Sequence, residues 1–166
     1  MKRTAHLLAK NYSPVILFII LSLCLAACSQ TEVFEKNKSI PKHQWHYDLK
    51  PSFDFTIKDT TALYNLYIVL RHTDAYRYNN IWLNVGTQSP GDTIKYQRFD
   101  LQLGTDATGW EGTGMDDIFE VRKNITQGPI PFKKAGDYTF TLSQIMRENP
   151  LKHILNVGIR VEKVNL

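Results

Sequence analysis

A cysteine preceded by small residues ends an apolar segment near the start of the chain. The four residues are Leu25-Ala26-Ala27-Cys28, and they follow the apolar run at 15–25. Small residues give a signal peptidase access to the bond before the cysteine. The cysteine sulfur can then carry a diacylglycerol and the freed amine a further acyl chain, and two or more chains anchor a protein stably. The sequence therefore predicts covalent lipid on Cys28 and no other cofactor.

Residues 1–27 have the layout of a bacterial signal peptide. Lys2, Arg3 and Lys10 come before the apolar run, and no acidic residue accompanies them. A transmembrane helix is the alternative, but about 20 apolar residues are needed to span a bilayer. The run at 13–28 is shorter and contains Ser22. We therefore expect residues 1–27 to be removed and Cys28 to become the first residue of the mature protein.

The charge balance argues against nucleic acid as a partner. The chain has 20 Lys and Arg against 16 Asp and Glu, but three of the basic residues lie in the leader, so 17 remain. Charges of both signs are interspersed along these remaining residues. A nucleic-acid binder would concentrate its basic residues in a patch or stripe, so we expect no nucleic-acid partner.

Residues 28–44 are polar and have no hydrophobic period, which predicts a flexible tether. Fully extended at about 3.3 to 3.6 Å per residue, such a tether would reach roughly 50 Å. Residues 45–166 instead alternate apolar and polar side chains, which is typical of half-buried strands. Segments of this kind lie at 53–57, 66–70, 81–85, 99–103, 138–142 and 155–161. The sequence predicts one antiparallel β-sandwich domain over residues 45–166.

Two further local features are predicted within this domain. Ala135-Gly136-Asp137-Tyr138 enters a strand, as in a sandwich corner where a tyrosine hydroxyl bonds to nearby backbone. A short helix is predicted at 143–148, because Pro150 limits any longer one. The corner bears on the fold and not on the function.

The chain lacks the common catalytic motifs. There is no G-x-S-x-G, H-E-x-x-H, phosphate-binding loop or dinucleotide fingerprint, and Cys24 leaves with the leader. His43 and His46 could bind a metal only if a third ligand came near. His72 and His153 have no nucleophile beside them. We therefore expect no enzymatic activity; metal-dependent hydrolysis at Asp116 and Asp117 is the catalytic alternative.

The loop at 104–117 is the segment richest in possible oxygen ligands. Asp106, Asp116 and Asp117, together with Glu111, could bind calcium, although the loop does not match an EF-hand. The alternative is a glycine-rich connection with solvated acids, held to the domain by Trp110.

A partner surface is predicted on the strands at 64–72 and 81–88. If these strands form a hairpin, Tyr67 and Arg71 lie near Trp82, with Tyr76 and Tyr78 in the connecting loop. Trp, Tyr and Arg are enriched where proteins hold their partners. The same residues could instead be covered by another part of the domain.

Three stretches give the chain a family resemblance. They are YNLYIVLRHTDAYRYNNIWLNV at 64–85, GMDDIFEVR at 114–122 and AGDYTFTLSQIMRENPLKHILNVGIRVEK at 135–163. With the lipobox cysteine and the chain length, they make the chain similar to the gliding-motility lipoprotein family GldH. The resemblance implies an outer-membrane lipoprotein of Bacteroidetes, needed for movement in gliding species and tied to the type IX secretion machinery.

The resemblance also sets the expected partners. It implies contact with the lipid bilayer through Cys28 and with envelope proteins of the gliding and secretion machinery, and no known reaction. The absence of an acidic run after Cys28 favours an anchor that faces the periplasm. A glycan-binding lipoprotein, with Trp82, Tyr67 and Trp110 as stacking platforms, is the alternative function.

Overall fold

The computed structural model describes residues 33–164, which fold into two antiparallel β-sheets packed face to face. The predicted β-sandwich is confirmed. Each of the six segments predicted from alternation lies on a strand, except that Leu103 falls one residue past the end of its strand. Within the described residues, no helix is long and apolar enough to cross a membrane.

The first sheet has β1 at one edge and β9 at the other. Its spatial order is β1 (Val33–Ser39), β14 (Ile154–Lys163), β4 (Leu63–Thr73), β10 (Ile118–Asn124) and β9 (Thr113–Met115), with β11 (Ile130–Pro131) paired to the start of β4. The second sheet has the order β3 (Ser52–Ile57), β12 (Gly136–Gln144), β5 (Asn80–Gln88) and β6 (Lys95–Gln102).

Short elements complete the described domain. β2 (Gln44–Trp45) pairs with β13 (Leu151–Lys152), and β7 (Gly104–Thr105) pairs with β8 (Gly109–Trp110). A 3₁₀ turn at Pro41–His43 joins β1 to β2. All strand pairs are antiparallel, so each sheet can bury one face and expose the other.

The core lies between the inner faces of the two sheets. Aromatic rings fill one end of it: Phe55 contacts Phe34, Phe132, Tyr138 and Phe140 at centroid distances of 5.4 to 5.8 Å. Aliphatic side chains from both sheets continue it, and the fully buried ones include Ile68, Leu70, Ile81, Leu83 and Leu142. Burial of each large side chain contributes roughly 1.5 to 3 kcal/mol. These are the positions that the alternation placed inside.

The tether predicted for residues 28–44 is wrong from Val33 onward. β1 pairs with β14 along its whole length, from Val33 opposite Glu162 to Ser39 opposite Asn156. Its hydrophobic period is weak because Lys36 and Lys38 share the inward-facing register with Phe34 but remain exposed. Residues 33–44 therefore belong to the folded domain, which does not wait until residue 45 to begin. The leader and Cys28 lie outside the described residues.

The predicted pairing of the strands at 64–72 and 81–88 is also wrong. β4 pairs with β14, β10 and β11, whereas β5 pairs with β12 and β6, in the other sheet. The connection between β4 and β5 therefore crosses from one sheet to the other. Alternation tells which face of a strand is buried but does not name its neighbour, and here the neighbours come from distant parts of the chain.

The helix predicted at 143–148 does not form. β12 continues to Gln144, and a non-helical loop follows. The buried Gln144 amide donates to the carbonyls of Trp45 and Glu148, both at 3.2 Å, and its oxygen accepts the Met146 N–H at 2.8 Å. These bonds satisfy loop backbone groups that a helix would have satisfied internally.

The tyrosine corner predicted at 135–138 is confirmed. Tyr138 is buried, and its hydroxyl donates to the Lys134 carbonyl at 2.9 Å and accepts the Lys134 N–H at 3.3 Å. The corner fixes the entry of the chain into β12.

Candidate functional site: an aromatic face on the second sheet

The structure separates the residues predicted to form one partner surface. Tyr67 and Arg71 lie on the outer face of the first sheet, where they are paired with Arg160 and Glu120 in register. Trp82 lies on the outer face of the second sheet. Because the core lies between these two faces, the predicted cluster does not form.

Arg71 belongs to a chain of alternating charges that crosses the outer face of the first sheet. Its links, in order, are Arg71–Glu120 at 2.5 Å, Glu120–Arg122 at 2.8 Å, Arg122–Glu35 at 3.1 Å, Glu35–Arg160 at 2.9 Å and Arg160–Glu162 at 3.1 Å. Three arginines are thus matched by three glutamates. Because these charges are compensated within the domain, little net charge remains to attract a partner. We therefore assign this network of ion pairs to stability.

The same ion-pair chain connects β1 to the rest of the sheet. Partial burial of Glu35 acts to raise the pKa of its carboxyl, but hydrogen bonds from Arg160 and Arg122 outweigh this and lower that pKa. The hydrogen bond to Glu35 raises the pKa of Arg160. Each exposed pair contributes at most about 1 kcal/mol, but together these pairs join four strands of the sheet, β1, β14, β4 and β10.

Tyr76 and Tyr78 fix the crossover between the sheets and are not a free binding loop. Tyr76 is buried, and its hydroxyl donates to the Asn80 carbonyl at 3.0 Å. Burial raises the pKa of Tyr76 well above its ordinary value. Tyr78 donates to Glu148 at 3.2 Å, and its ring meets that of Tyr76 edge-on. The prediction that Tyr76 contacts a partner does not fit its burial.

His72 occupies an aromatic enclosure beneath the crossover. Its ring lies 4.5 Å from Trp110, 5.6 Å from Tyr76 and 5.9 Å from Phe119, measured between centroids. Nδ1 bonds to the Thr73 carbonyl at 2.9 Å, whereas the buried Nε2 has no protein partner among the described residues. Burial lowers the pKa of His72, so the ring is held neutral. Trp110 is therefore a packing residue on this enclosure.

The predicted calcium ligands do not converge. Asp106 lies in the turn between β7 and β8, and Asp116 and Asp117 lie in the turn between β9 and β10. Glu111 is paired with Lys123. Across residues 33–164, no group of three or more histidine, cysteine, aspartate or glutamate side chains is placed to hold a metal ion.

The outer face of the second sheet instead concentrates the exposed apolar surface. In the part of the chain that the structure describes, seven large hydrophobic residues are exposed, and five of them line this face. We call these five residues the aromatic face: Tyr47, Trp82, Ile94, Tyr96 and Ile145. Contiguous apolar surface of this kind marks sites of interaction more often than isolated exposed side chains do.

Local structure explains how these side chains come together. Leu83 on β5 and Phe99 on β6 are opposite each other and point into the core. Because side chains alternate along each strand, Trp82 and Tyr96 point outward on the same face of the sheet. Gly86 leaves room for two neighbours, since a Cβ there would lie 2.7 Å from Ile94 Cδ1 and 2.9 Å from Tyr96 Cε1.

The loop after β12 completes the surface. Ile145 donates its N–H to the Trp82 carbonyl at 3.0 Å, and the Tyr47 hydroxyl donates to the Met146 carbonyl at 2.6 Å. Two adjoining hollows of about 430 and 460 Å³ share Ile145 and Met146 as walls. The first hollow lies beside Tyr96 and the second beside Trp82. The aromatic face therefore has concave sites as well as exposed rings.

Basic side chains border the aromatic face. Lys50 lines one hollow, and Arg98 and Arg147 line the other. None of the three forms an ion pair with another residue in the range 33–164. An apolar centre with a cationic border is complementary to a partner with an apolar patch and acidic residues.

Sequence alternation identified Trp82 but missed the rest of the face. Extending the register of Phe99 and Leu101 backwards along β6 would have placed Tyr96 outward, on the side of Asp100. Tyr47 and Ile145 lie outside any long periodic strand and reach the face through loop hydrogen bonds, so no local pattern points to them.

Comparison with known proteins identifies the family. The GldH lipoprotein family model matches residues 32–161. A protein of Christiangramia forsetii named gliding motility lipoprotein GldH homolog is 28% identical over 156 residues, covering 90% of this chain and 94% of the relative. The gliding motility lipoprotein GldH of Flavobacterium johnsoniae is 29% identical over 154 residues, covering 89% and 94%. The chain therefore belongs to the GldH lipoprotein family.

Proposed function

We propose that this protein is a lipid-anchored, non-catalytic component of the gliding apparatus, and that it binds another envelope protein through the aromatic face. Gliding comes from the names of the relatives at 28 and 29% identity. The location in the outer membrane on its periplasmic side, and a role in type IX secretion, are part of the proposal.

The concentration of exposed apolar side chains on one sheet face carries this proposal. Trp82 is 42% exposed and Tyr96 is 59% exposed, whereas the outer face of the first sheet is occupied by its own ion pairs. Trp, Tyr and Arg supply a large share of the energy of protein interfaces. The two faces thus have different roles, one for binding and one for stability.

The proposed mechanism is positioning by the lipid anchor. With diacylglycerol and an N-acyl chain on Cys28, only Ser29 to Glu32 separate the anchor from β1. From Cys28 to Val33 the chain reaches at most roughly 18 Å. A domain held this close to the membrane meets other envelope proteins at high effective concentration without needing strong intrinsic affinity.

A complementation experiment tests the proposed function. In cells lacking the endogenous protein, we expect the parental chain to restore colony spreading and the Trp82→Ala/Tyr96→Ala double variant to fail at the same protein level. Arg71→Ala is the matched control, because it removes an exposed side chain from the opposite face. Full spreading by the double variant would exclude the aromatic face as the functional surface.

Glycan binding is the second candidate, and the spacing of two rings favours it. Gly86 on β5 lies opposite Tyr96 on β6, and Trp82 is four residues from Gly86 along β5. The positions of Trp82 and Tyr96 are therefore about 13 Å apart along the strand direction. Two exposed rings at that separation could stack on different sugars of one chain. Tyr67 and Trp110 cannot contribute, since one lies on the other sheet and the other is packed on His72. Oligosaccharide binding on an array that Trp82→Ala abolishes without unfolding would favour this function.

A further inference from the structure

The strand β6 forms an edge of the second sheet. Within residues 33–164 its one strand neighbour is β5, and no backbone hydrogen bond from another element reaches Lys95–Gln102. The outward-directed N–H and C=O groups of an eight-residue strand are therefore available for pairing. The other sheet edges are less suitable for binding a further strand. β9 has only three residues. At the edges formed by β1 and β3, the space between the sheets is filled by the contact of Phe34 with Phe55.

The first half of β6 is exposed on both faces. Lys95, Tyr96, Gln97 and Arg98 are all exposed, although Lys95 and Gln97 have the same inward register as Phe99 and Leu101. The first sheet does not cover them, because β10 ends at Asn124 and the chain then turns to pair with β4 as β11. The sandwich is consequently open along this edge.

The opening leads into an apolar cleft between the sheets, with a volume of about 400 Å³. Its inner walls are Leu66, Val85, Phe99 and Phe140, and Ile125 and Ile130 lie at its border. Gln97 and Lys95 stand at its mouth. A side chain entering along β6 would therefore find apolar contacts inside the cleft and a polar rim outside.

Positive charge accompanies the edge. Lys95 and Lys133 border the cleft and Arg98 lies on the outer side of β6. Among the described residues none of the three is within ion-pair distance of a carboxylate, and Lys95 acts on Asp92 only from farther away. Lys134, beside them, is paired with Asp92 at 2.9 Å. The unpaired cations make an acidic strand a better electrostatic match than a basic one.

We propose that the free edge of β6 binds an extended segment of the partner protein as a fifth strand of the second sheet. Main-chain hydrogen bonds to β6 hold the segment, its inward apolar side chains include one that enters the cleft, and its outward acidic side chains lie next to Arg98. The inference rests on the proposed partner-binding function and specifies how the partner is recognised. It predicts a partner sequence in which apolar and acidic residues alternate.

A displayed library of random ten-residue peptides, selected on the purified full-length mature chain, provides the probe. Enriched peptides should alternate apolar and acidic residues. Upon binding, amide hydrogen exchange should slow within Lys95–Gln102, which side-chain docking alone would not cause. Arg98→Glu and Gln97→Trp, which fills the mouth of the cleft, should each weaken binding about tenfold or more. Lys152→Trp, at an exposed site on β13, is the control and should bind normally.

Several results would overturn the inference. They are the absence of any enriched peptide, binding with unchanged exchange in β6, and binding unaffected by both Arg98→Glu and Gln97→Trp. Arg98→Glu alters only an exposed charge, so it remains informative if Gln97→Trp fails to fold. Protection of β6 through concentration-dependent dimerisation, or through a fatty acid in the cleft, would assign the edge to a different occupant. Failure of spreading or capture experiments would instead count against the proposed function, because the peptide measurement needs no gliding protein.

Discussion

At the scale of single residues, polar groups enclosed by apolar neighbours have clear consequences for stability. His72 is completely buried among three aromatic rings, with one ring nitrogen bonded and the other without a protein partner in the described region. Its hydrogen bond to Thr73 would favour protonation, but burial outweighs it and lowers the pKa of His72. We therefore expect this histidine to make the stability of the domain depend on pH.

We expect stability to decrease as the pH falls below about 6.5, the ordinary pKa of histidine. The unfolded chain binds a proton at His72 in this range while the folded protein resists it, which favours unfolding. His72→Asn retains a donor for the Thr73 carbonyl but does not titrate, so its free energy of unfolding should depend less on pH. Chemical denaturation between pH about 5 and 8 measures this, with His46→Asn as the control. Parallel curves for the parent and His72→Asn would contradict the prediction.

At the scale of elements, β1 shows where sequence patterns stop being informative. The strands of the core could be predicted because their apolar and polar residues alternate strictly, as in Phe53, Phe55 and Ile57. β1 has one inward aromatic, Phe34, and two exposed lysines in that register, so its own sequence resembles a tether. Its place depends on the partner strand β14 and on Glu35, which accepts bonds from two arginines of other strands.

The candidate site was predictable only in part for the same reason. Outward positions such as Trp82 follow from alternation within one strand. Which of them lie together depends on pairing between strands distant in sequence, so alternation alone puts Tyr67 and Arg71 beside Trp82 although they lie on the opposite side of the sandwich. Loop residues such as Tyr47 join the aromatic face through tertiary hydrogen bonds that no local pattern encodes.

Gly158 is the position at which the pairing of β1 can be tested. A Cβ there would overlap Asn37 Oδ1 and lie 2.5 Å from the Lys36 carbonyl oxygen. Gly158→Ala should therefore separate β1 from β14 and lower the free energy of unfolding by about 1 to 3 kcal/mol. Hydrogen exchange should accelerate in Val33–Ser39, while Lys36→Ala, which shortens an exposed side chain on the same strand, leaves both quantities nearly unchanged. An unaltered β1 in Gly158→Ala would show that this strand is not held as described.

At the scale of the whole molecule, the proposed role combines an anchor, a short link and a binding face. Because β1 belongs to the domain, four residues separate Cys28 from β1 in the sequence, fewer than in the tether that the composition predicts. In the proposed role, so short a separation would restrict how far the binding face can move from the membrane. The anchor and the domain should then contribute separately to function.

Cys28→Ala tests that separation. The described domain is built from residues 33–164, so we expect the variant to keep the parental thermal unfolding curve while losing membrane association and colony spreading. Fractionation of the envelope, together with calorimetry of the purified chain, measures both properties. Normal spreading by a soluble, unprocessed variant would show that lipid anchoring is not required.

The most direct test of the central claim is quantitative capture of partners from the cross-linked envelope. Cells would carry the parental chain, Trp82→Ala or Arg71→Ala at equal levels, and mass spectrometry would quantify the proteins recovered with each. We predict that the parent and Arg71→Ala recover the same gliding or type IX secretion component and that Trp82→Ala recovers at least about tenfold less. Equal recovery by Trp82→Ala, or a loss confined to Arg71→Ala, would contradict a partner-binding role for the aromatic face.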